Sequence, residues 1–350
     1  MFSLLFPGLA LKTTASSVPH DQPPQLGPQH GPSGPDRMNV DESLDALRRE
    51  IDAIDDTIHD LIMRRTQFVE QVREIKRDLR VKIRPSREAE IVYRLIGRHH
   101  GPFPKRELVA MWRQLIVATL SFEGPFSVAV YVPPDGAGYW DLARDHFGIF
   151  TPATRHTSVR TVIEAVHRQD ATVGVLPLPQ HEDRDPWWRH LVTQQPEVPR
   201  IIARLPFAGH GTGLGAKVEA LAICPVGLTP TGRDRSVFAI DMDNRVSVNQ
   251  LTQVLRDLDL PVTFATAWRE EQGPSAWLQL VEVDGFLDEA DDRLAQIAPA
   301  LGKAVNRIVS LGGYAKPLTR EELGNRDDTS GNEPDTTKPD DAQNSVPDTA

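Results

Sequence analysis

One cysteine, Cys224, stands in 350 residues. That excludes a disulfide framework or a cysteine-built metal site within one chain, and its apolar flanks read as a buried, reduced thiol. No apolar run is long enough to span a membrane. There is no one-signed basic face and no interleaving of aromatic with basic residues, so nucleic acid is not an expected partner. No hydrolytic triad, metal cluster or internal repeat is evident, and no cofactor is expected. Between Met38 and Arg84 the chain has neither glycine nor proline, which leaves that stretch free to be one long helix.

The formal charge is −10, unevenly spread. Residues 41–123 carry 16 Lys/Arg and 15 Asp/Glu, whereas residues 321–350 carry 9 Asp/Glu and 2 Lys/Arg. The acidity therefore belongs mostly to a tail, expected to be disordered over 319–350. The opening MFSLLFPGLALKTTASS looks superficially like an export signal, but it lacks a basic start and Pro7 interrupts its short apolar run. Residues 18–37 are rich in Pro, Gly, Gln and His. Residues 1–39 are expected to be a disordered leader of a cytoplasmic protein, with Met38 an alternative start.

The most informative feature is a charge inside an apolar seam. Leu44, Leu47, Ile51, Ile54, Ile58, Leu61, Arg65, Phe68, Val72, Ile75 and Leu79 follow one another at alternating gaps of three and four. They form one stripe of a long helix. Asp41, Glu42 and Asp45 crowd its start and Lys76, Arg77, Arg80, Lys82 and Arg84 its end, as the helix dipole favours. Pro85 is expected to stop it. At about 1.5 Å per residue the seam runs roughly 50 Å, too long for the two shorter helices that follow to cover. A second copy of the same helix is the natural partner, so an intertwined homodimer is expected. Arg65 is the one charged member of the seam. Desolvating an unpaired guanidinium is expensive, so it either makes a structural ion pair or holds an anion.

Two further amphipathic helices are expected over 86–98 and 105–123, separated by the breakers of HHGPFPK. After Gly124-Pro125 the pattern becomes α/β. SVAVYV and ATVGVLPL read as strands, with helices through LARDHFG and SVRTVIEAVHRQ between them. Residues 179–215 read as irregular. VEALAIC is a further strand, and the order βαββαβ follows from RSVFAIDM to RIVSLGGY.

Several charged residues of the helical part invite weighing. Lys76 lies eleven positions after Arg65 and shares its face, roughly 16 Å along the axis. Arg48 sits at the far end, beyond reach of Lys76 in the same chain but within reach in an antiparallel pair. Arg87-Glu88 open the second helix, and Thr119 and Glu123 lie one turn apart on the third. Taken singly, Arg48, Lys76 and Arg87 read as solvated or weakly paired, Thr119 as bonded to its own helix, and Glu123 as a helix-end carboxylate.

Taken together, LDALRREIDAIDDTIHDLIMRRTQFVEQVREIK, RPSREAEIVYRL and WRQLIVATLSFE resemble the all-helical chorismate mutases over residues 43–123. The resemblance implies an enzyme, an intramolecular isomerase of aromatic amino-acid biosynthesis, with the following roles. Arg48 reaches into the partner chain's site, Arg65 clamps a substrate carboxylate, and Lys76 faces the breaking ether oxygen. Arg87 and Glu88 supply a further charge and a hydroxyl contact, Thr119 bonds a carboxylate, and Glu123 sits beside the ether oxygen. The chemistry agrees: planar guanidinium forks suit a small dianion. A unimolecular pericyclic step needs a held conformer and charge stabilisation, with no nucleophile or metal. Departures from the family are Arg84-Pro85-Ser86, where an acidic residue often stands, and Glu123, where many members have glutamine. A carboxyl group beside a developing oxyanion helps only when protonated, so activity is expected to fall as pH rises.

Residues 126–314 are similar to the rest of a bifunctional chorismate mutase–prephenate dehydratase, in degenerate form. Pro179-Gln180 replace a Glu-Asn pair, Asp234-Arg235-Ser236 are the nearest counterpart of a Thr-Arg-Phe motif, and the segment from Val192 to Arg235 is short for a second lobe. Dehydratase activity is therefore expected to be lost. RSVFAIDMDNRVS through VSLGGYAKP resembles the ACT domain, which implies phenylalanine as a further partner, although NRVSVNQL replaces the family's glycine-bearing ligand loop. The expectation is a multidomain α plus α/β chain. It comprises a three-helix, intertwined-dimer chorismate mutase domain (40–124), a reduced α/β region (125–233) and a βαββαβ ACT-like domain (234–318). The alternatives are a bifunctional mutase–dehydratase, an isochorismate-pyruvate lyase, and a non-catalytic amino-acid sensor.

Overall fold

The computed structural model describes residues 35–75, 81–136, 138–181, 183–193, 195, 197–209, 218–243, 245–269 and 277–324. The chain divides between Arg64 and Arg65 into two units. In the first, every described residue belongs to the long helix α1 (Pro35–Ile75). Its seam residues Leu44, Leu47, Ile51, Ile54, Ile58 and Leu61 are all exposed, between 43% and 60%. Among the described residues of this unit, the stripe that the sequence pattern singled out is uncovered.

The second unit begins with the last turns of α1, where Phe68, Val72 and Ile75 are again exposed and Arg65 is half-buried. Leu79, the last seam position, lies outside the described residues. Pro85 is not the stop of the long helix: residues 81–84 are non-helical, and Pro85 opens α2 (Pro85–Gly97). At the first helical position its missing N–H leaves no bond unmade and its fixed φ suits the helix. α3 (Lys105–Glu123) follows.

Beyond Gly124 the strands β1 (Val128–Tyr131), β2 (Ala153–His156), β3 (Val173–Pro177), β4 (Arg200–Leu205) and β5 (Ala220–Cys224) are joined by α4 (Tyr139–Phe147) and α5 (Val159–His167). Then come β6 (Asp234–Met242), α6 (Val248–Asp257), β7 (Val262–Arg269), β8 (Trp277–Asp284), α7 (Asp292–Leu301) and β9 (Val305–Ala315), the expected βαββαβ order. The nine strands of the described residues belong to one sheet, in the order β2-β1-β3-β5-β4-β9-β6-β8-β7. The expected boundary at 233/234 is thus no break in the sheet. β4 and β9 run parallel and meet at the single register pair Ile201↔Gly312. Gly312 makes that approach possible: its φ is +101°, and a Cβ there would lie 2.3 Å from the Ile201 carbonyl oxygen.

Side chains alternate across the sheet, as strand geometry requires. On one face, Leu176, Ile201, Leu221, Ile223, Val237, Ala239, Leu280 and Leu311 join one continuous core with Val162 and Val166 of α5 and with Trp187, Trp188 and Leu191 of a short 3-10 turn. That core runs under both halves of the sheet. The opposite face carries two patches. Val173, Val175, Ile202 and Ala222 pack with Leu142 and Phe147 of α4, Leu120 of α3 and Ile83. Phe238, Ile240 and Val281 pack with Leu251 and Leu255 of α6 and Ile297 of α7.

Two strands are absent from the sequence reading. β2 (ATRH) shows no apolar alternation and exists through parallel pairing with β1. β4 (RIIARL) lies in the stretch 179–215 read as irregular, where Pro, His and Trp mask it. Residues 319–324, expected to belong to the acidic tail, are folded. Thr319 and Glu322 form a capping box on α8 (Arg320–Leu323), and Leu323, 5% exposed, packs with Val92, Val109 and Phe207.

Candidate active site

α3 is the platform. Val109, Ile116 and Leu120 lie along one face and are buried, fixing the helix against the sheet domain and placing Thr119 beside that face. The Thr119 hydroxyl, 5% exposed, donates to the carbonyls of Ile116 (2.8 Å) and Leu115 (3.2 Å). It also accepts from Arg65 Nη1 at 3.4 Å, bridging 54 residues of sequence. The seam arginine and the candidate carboxylate-binding hydroxyl are thereby brought together. The structural reading of Thr119 as bonded to its own helix holds as well, and one hydroxyl does both.

The other candidates are placed as follows. Arg87 is exposed and pairs with Glu90 at 2.9 Å. Glu88 turns inward: Oε2 accepts from Arg113 Nη1 at 2.6 Å, with both side chains under a tenth exposed, and Oε1 accepts from the Arg84 amide at 3.4 Å. Arg48, in the first unit, is exposed and pairs with Asp45 at 2.8 Å. Lys76 lies outside the described residues. Glu123 occupies the last position of α3, and its side chain likewise lies outside the described part.

Arg113 is the residue that the sequence reading missed. Its guanidinium carbon lies 5.4 Å from the centre of the Phe207 ring. Burial lowers its pKa more than the adjoining Glu88 carboxylate raises it. His146 on α4 is buried nearby, edge-on to Phe147 at 4.6 Å. Desolvation, and then the Arg113 charge, hold its pKa well below the ordinary imidazole value. The signal for Arg113 is visible in retrospect. Val109, Arg113, Ile116 and Leu120 repeat at gaps of four, three and four, an arginine in an apolar stripe just as at Arg65.

Among the described residues there is no cluster of His, Cys, Asp and Glu able to hold a metal ion, and no helix long and apolar enough to cross a membrane. The chemistry on offer is recognition of an anion and of hydroxyl groups by arginine forks, a hydroxyl and carboxylates.

Residues 47–124 match the family Chorismate mutase type II. That span contains all seven candidate residues. A bifunctional chorismate mutase/prephenate dehydratase of Aquifex aeolicus is 33% identical over 142 residues, 39% of this chain and 39% of the relative. One of Stutzerimonas stutzeri is 29% identical over 147 residues, 40% of each chain. The chain thus spans about two fifths of the length of these curated relatives. Among solved structures, the prephenate dehydratase of Streptococcus mutans covers 55% of this chain and 98% of its own at 12% identity, with a TM-score of 0.40, a likeness on which no conclusion here rests. Within the matched span, the buried Glu88–Arg113 pair ties α2 to α3, and the cluster around Phe207 packs both helices on the sheet domain.

Proposed function

We propose that this chain is a cytoplasmic enzyme that rearranges chorismate to prephenate. The observation that carries the reading is the meeting of Arg65 with Thr119 inside a chorismate mutase type II match. Arg65 takes one substrate carboxylate through its planar fork, and Thr119 supports the same group. Lys76 donates to the ether oxygen on which charge develops as its C–O bond breaks and the new C–C bond forms. Glu123, protonated, stands on the other side of that oxygen. Arg87 adds a charge at the rim. Glu88, held by Arg113, contacts the ring hydroxyl through Oε1, where the 3.4 Å bond from the Arg84 amide is readily displaced.

The site is completed by a second copy. The exposed seam of α1 supports an intertwined homodimer in which Arg48 exchanges Asp45 for the partner chain's substrate. The β9-β6-β8-β7 half of the sheet, with α6 and α7 on one face, supports an ACT-like reading with phenylalanine as its partner. The fusion of both halves into one sheet, with a core running beneath them, supports loss of the dehydratase activity named in the relatives.

The test is chorismate consumption by the full chain with products resolved, with and without phenylalanine. Prephenate as sole product, abolished by Arg65→Ala and by Lys76→Ala, is the expected result. Phenylpyruvate as a product would establish the bifunctional reading. A folded dimer without turnover would overturn the proposal and turn attention to isochorismate.

A further inference from the structure

The two halves of the nine-stranded sheet meet at β4 and β9, and a groove of about 290 Å³ opens on that junction. Both halves line it: Val198, Arg200 and Val226 from one side, Phe286, Leu287 and Tyr314 from the other. We propose that this groove binds a small monocarboxylate with an apolar body, and that Arg200 receives the carboxylate.

The charges of the groove lead to Arg200 by accounting for the rest. Arg235 is engaged by Glu282 at 2.9 Å and by Asp284 at 3.7 Å. Tyr314 donates to the other oxygen of Glu282 at 2.6 Å. Asp234 accepts from the Thr231 amide and hydroxyl, each at 2.7 Å, and from the Gly232 amide at 3.1 Å, closing a turn. Arg200 is different. Its terminal nitrogens donate to two backbone carbonyls, Ser310 and Thr193, and among the described residues no carboxylate lies within ion-pair distance. Its side chain is half-buried, and desolvation pulls its pKa down while Glu289 opposes from farther away. A partly desolvated guanidinium held by neutral acceptors is an incomplete site, since its strongest partner is a carboxylate.

The walls define the rest of the ligand. Val198, Val226, Phe286 and Leu287 are apolar, the usual character of a small-molecule cleft with a few placed polar groups, and a junction between folded halves is a usual location for one. Asp288 and Glu289 also line the groove and disfavour a second negative charge on the ligand. They accept an ammonium group if the ligand carries one. An apolar amino acid and its deaminated counterpart share the required chemistry. The site lies on different elements from the segment NRVSVNQL, and it does not depend on the mutase reading.

The experiment is calorimetric titration of the full chain with 3-phenylpropionate, phenylalanine, phenethylamine and succinate. Binding of 3-phenylpropionate, weakened about tenfold or more in Arg200→Gln by loss of one charge-assisted contact, is expected. Phenethylamine, which lacks the carboxylate, and succinate, which lacks the apolar body, are expected to be silent. Phenylalanine binding with the same dependence on Arg200 would identify the amino acid as the source; its absence would identify the deaminated acid. Val226 lines the groove and is not a hydrogen-bond partner of Arg200, so Val226→Trp should abolish binding by filling the space even if Arg200→Gln proves unstable. No binding of either carboxylate by the parent chain, or binding that survives both substitutions, would overturn the proposal.

Discussion

Replacing Arg113 by methionine should cost about 3–5 kcal/mol of stability, because it strands the buried carboxylate of Glu88. The magnitude rests on geometry. The two side chains are 7% and 8% exposed and 2.6 Å apart, so removal of one leaves water little access to the other. Methionine retains much of the packing against Phe207 and forfeits the cation–π contact, worth about 0.5–1 kcal/mol. At about 2–4 °C per kcal/mol, the thermal midpoint should fall by roughly 6–20 °C. The double variant Glu88→Leu/Arg113→Met removes both charges and should lie within about 1 kcal/mol of the parent, since an apolar replacement of a buried pair is often neutral or better. Urea unfolding followed by far-UV circular dichroism gives all four corners of the cycle; with Glu88→Leu alone also costing about 3–5 kcal/mol, the coupling should be at least about 5 kcal/mol. An Arg113→Met protein within about 0.5 kcal/mol of the parent would refute the reasoning, as would a double variant as damaged as the sum of the singles.

Three further outcomes follow from the same structure. His146 stays neutral in the folded protein below the pH at which the unfolded chain protonates, about 6.5. Its contribution is therefore intact above that pH, and stability is lost as pH falls, by up to about 1.4 kcal/mol per pH unit; the urea midpoint of His146→Gln should change less between neutral and mildly acidic pH than that of the parent, and equal changes would exclude the imidazole. Cys224 is buried, and burial pushes its thiol up to about 12, so a thiol reagent at neutral pH should label it only on unfolding, and rapid labelling of folded protein would contradict its packing. In the mutase assay, Glu123→Gln should hold activity to higher pH than the parent does, and an unchanged profile would remove Glu123 from the ether oxygen.

How much of this was readable beforehand depended on whether a residue's environment is local. α1, α2 and α3 were readable because apolar residues at gaps of three and four define a helix face without reference to anything else. The strands of the βαββαβ half were readable for the same reason: Val237, Ala239, Phe238 and Ile240 are apolar whichever face they take. β2 was not, because nothing in Ala-Thr-Arg-His favours a strand until β1 pairs with it. β4 was not, because its surroundings carry loop composition and its role is to join two halves of a sheet, a property of topology. The single sheet could not be foreseen either, since it hangs on Gly312 lying against Ile201, a contact between residues 111 positions apart. Of the site, Arg65, Glu88 and Thr119 were singled out one by one through the resemblance, whereas the contact of Arg65 with Thr119 and the inward turn of Glu88 to Arg113 depend on how the helices pack, which no local pattern records.

Arg65 and Arg113 show what the seam criterion can and cannot deliver. Both interrupt an apolar helical stripe, and in both cases the cost of desolvating a guanidinium implies a specific partner. Arg113 finds a full counter-charge in Glu88 at 2.6 Å; its charge is neutralised within the fold, and its role is to hold α2 to α3 and fix Glu88. Arg65 donates to the hydroxyl of Thr119 at 3.4 Å and is half-buried on a helix whose neighbouring seam residues are exposed. The same pattern thus marks a structural ion pair in α3 and a candidate anion clamp in α1. Arg200, held by carbonyl groups at the sheet junction, is a different case again. An arginine that folding leaves without its strongest class of partner is the place to look for a ligand.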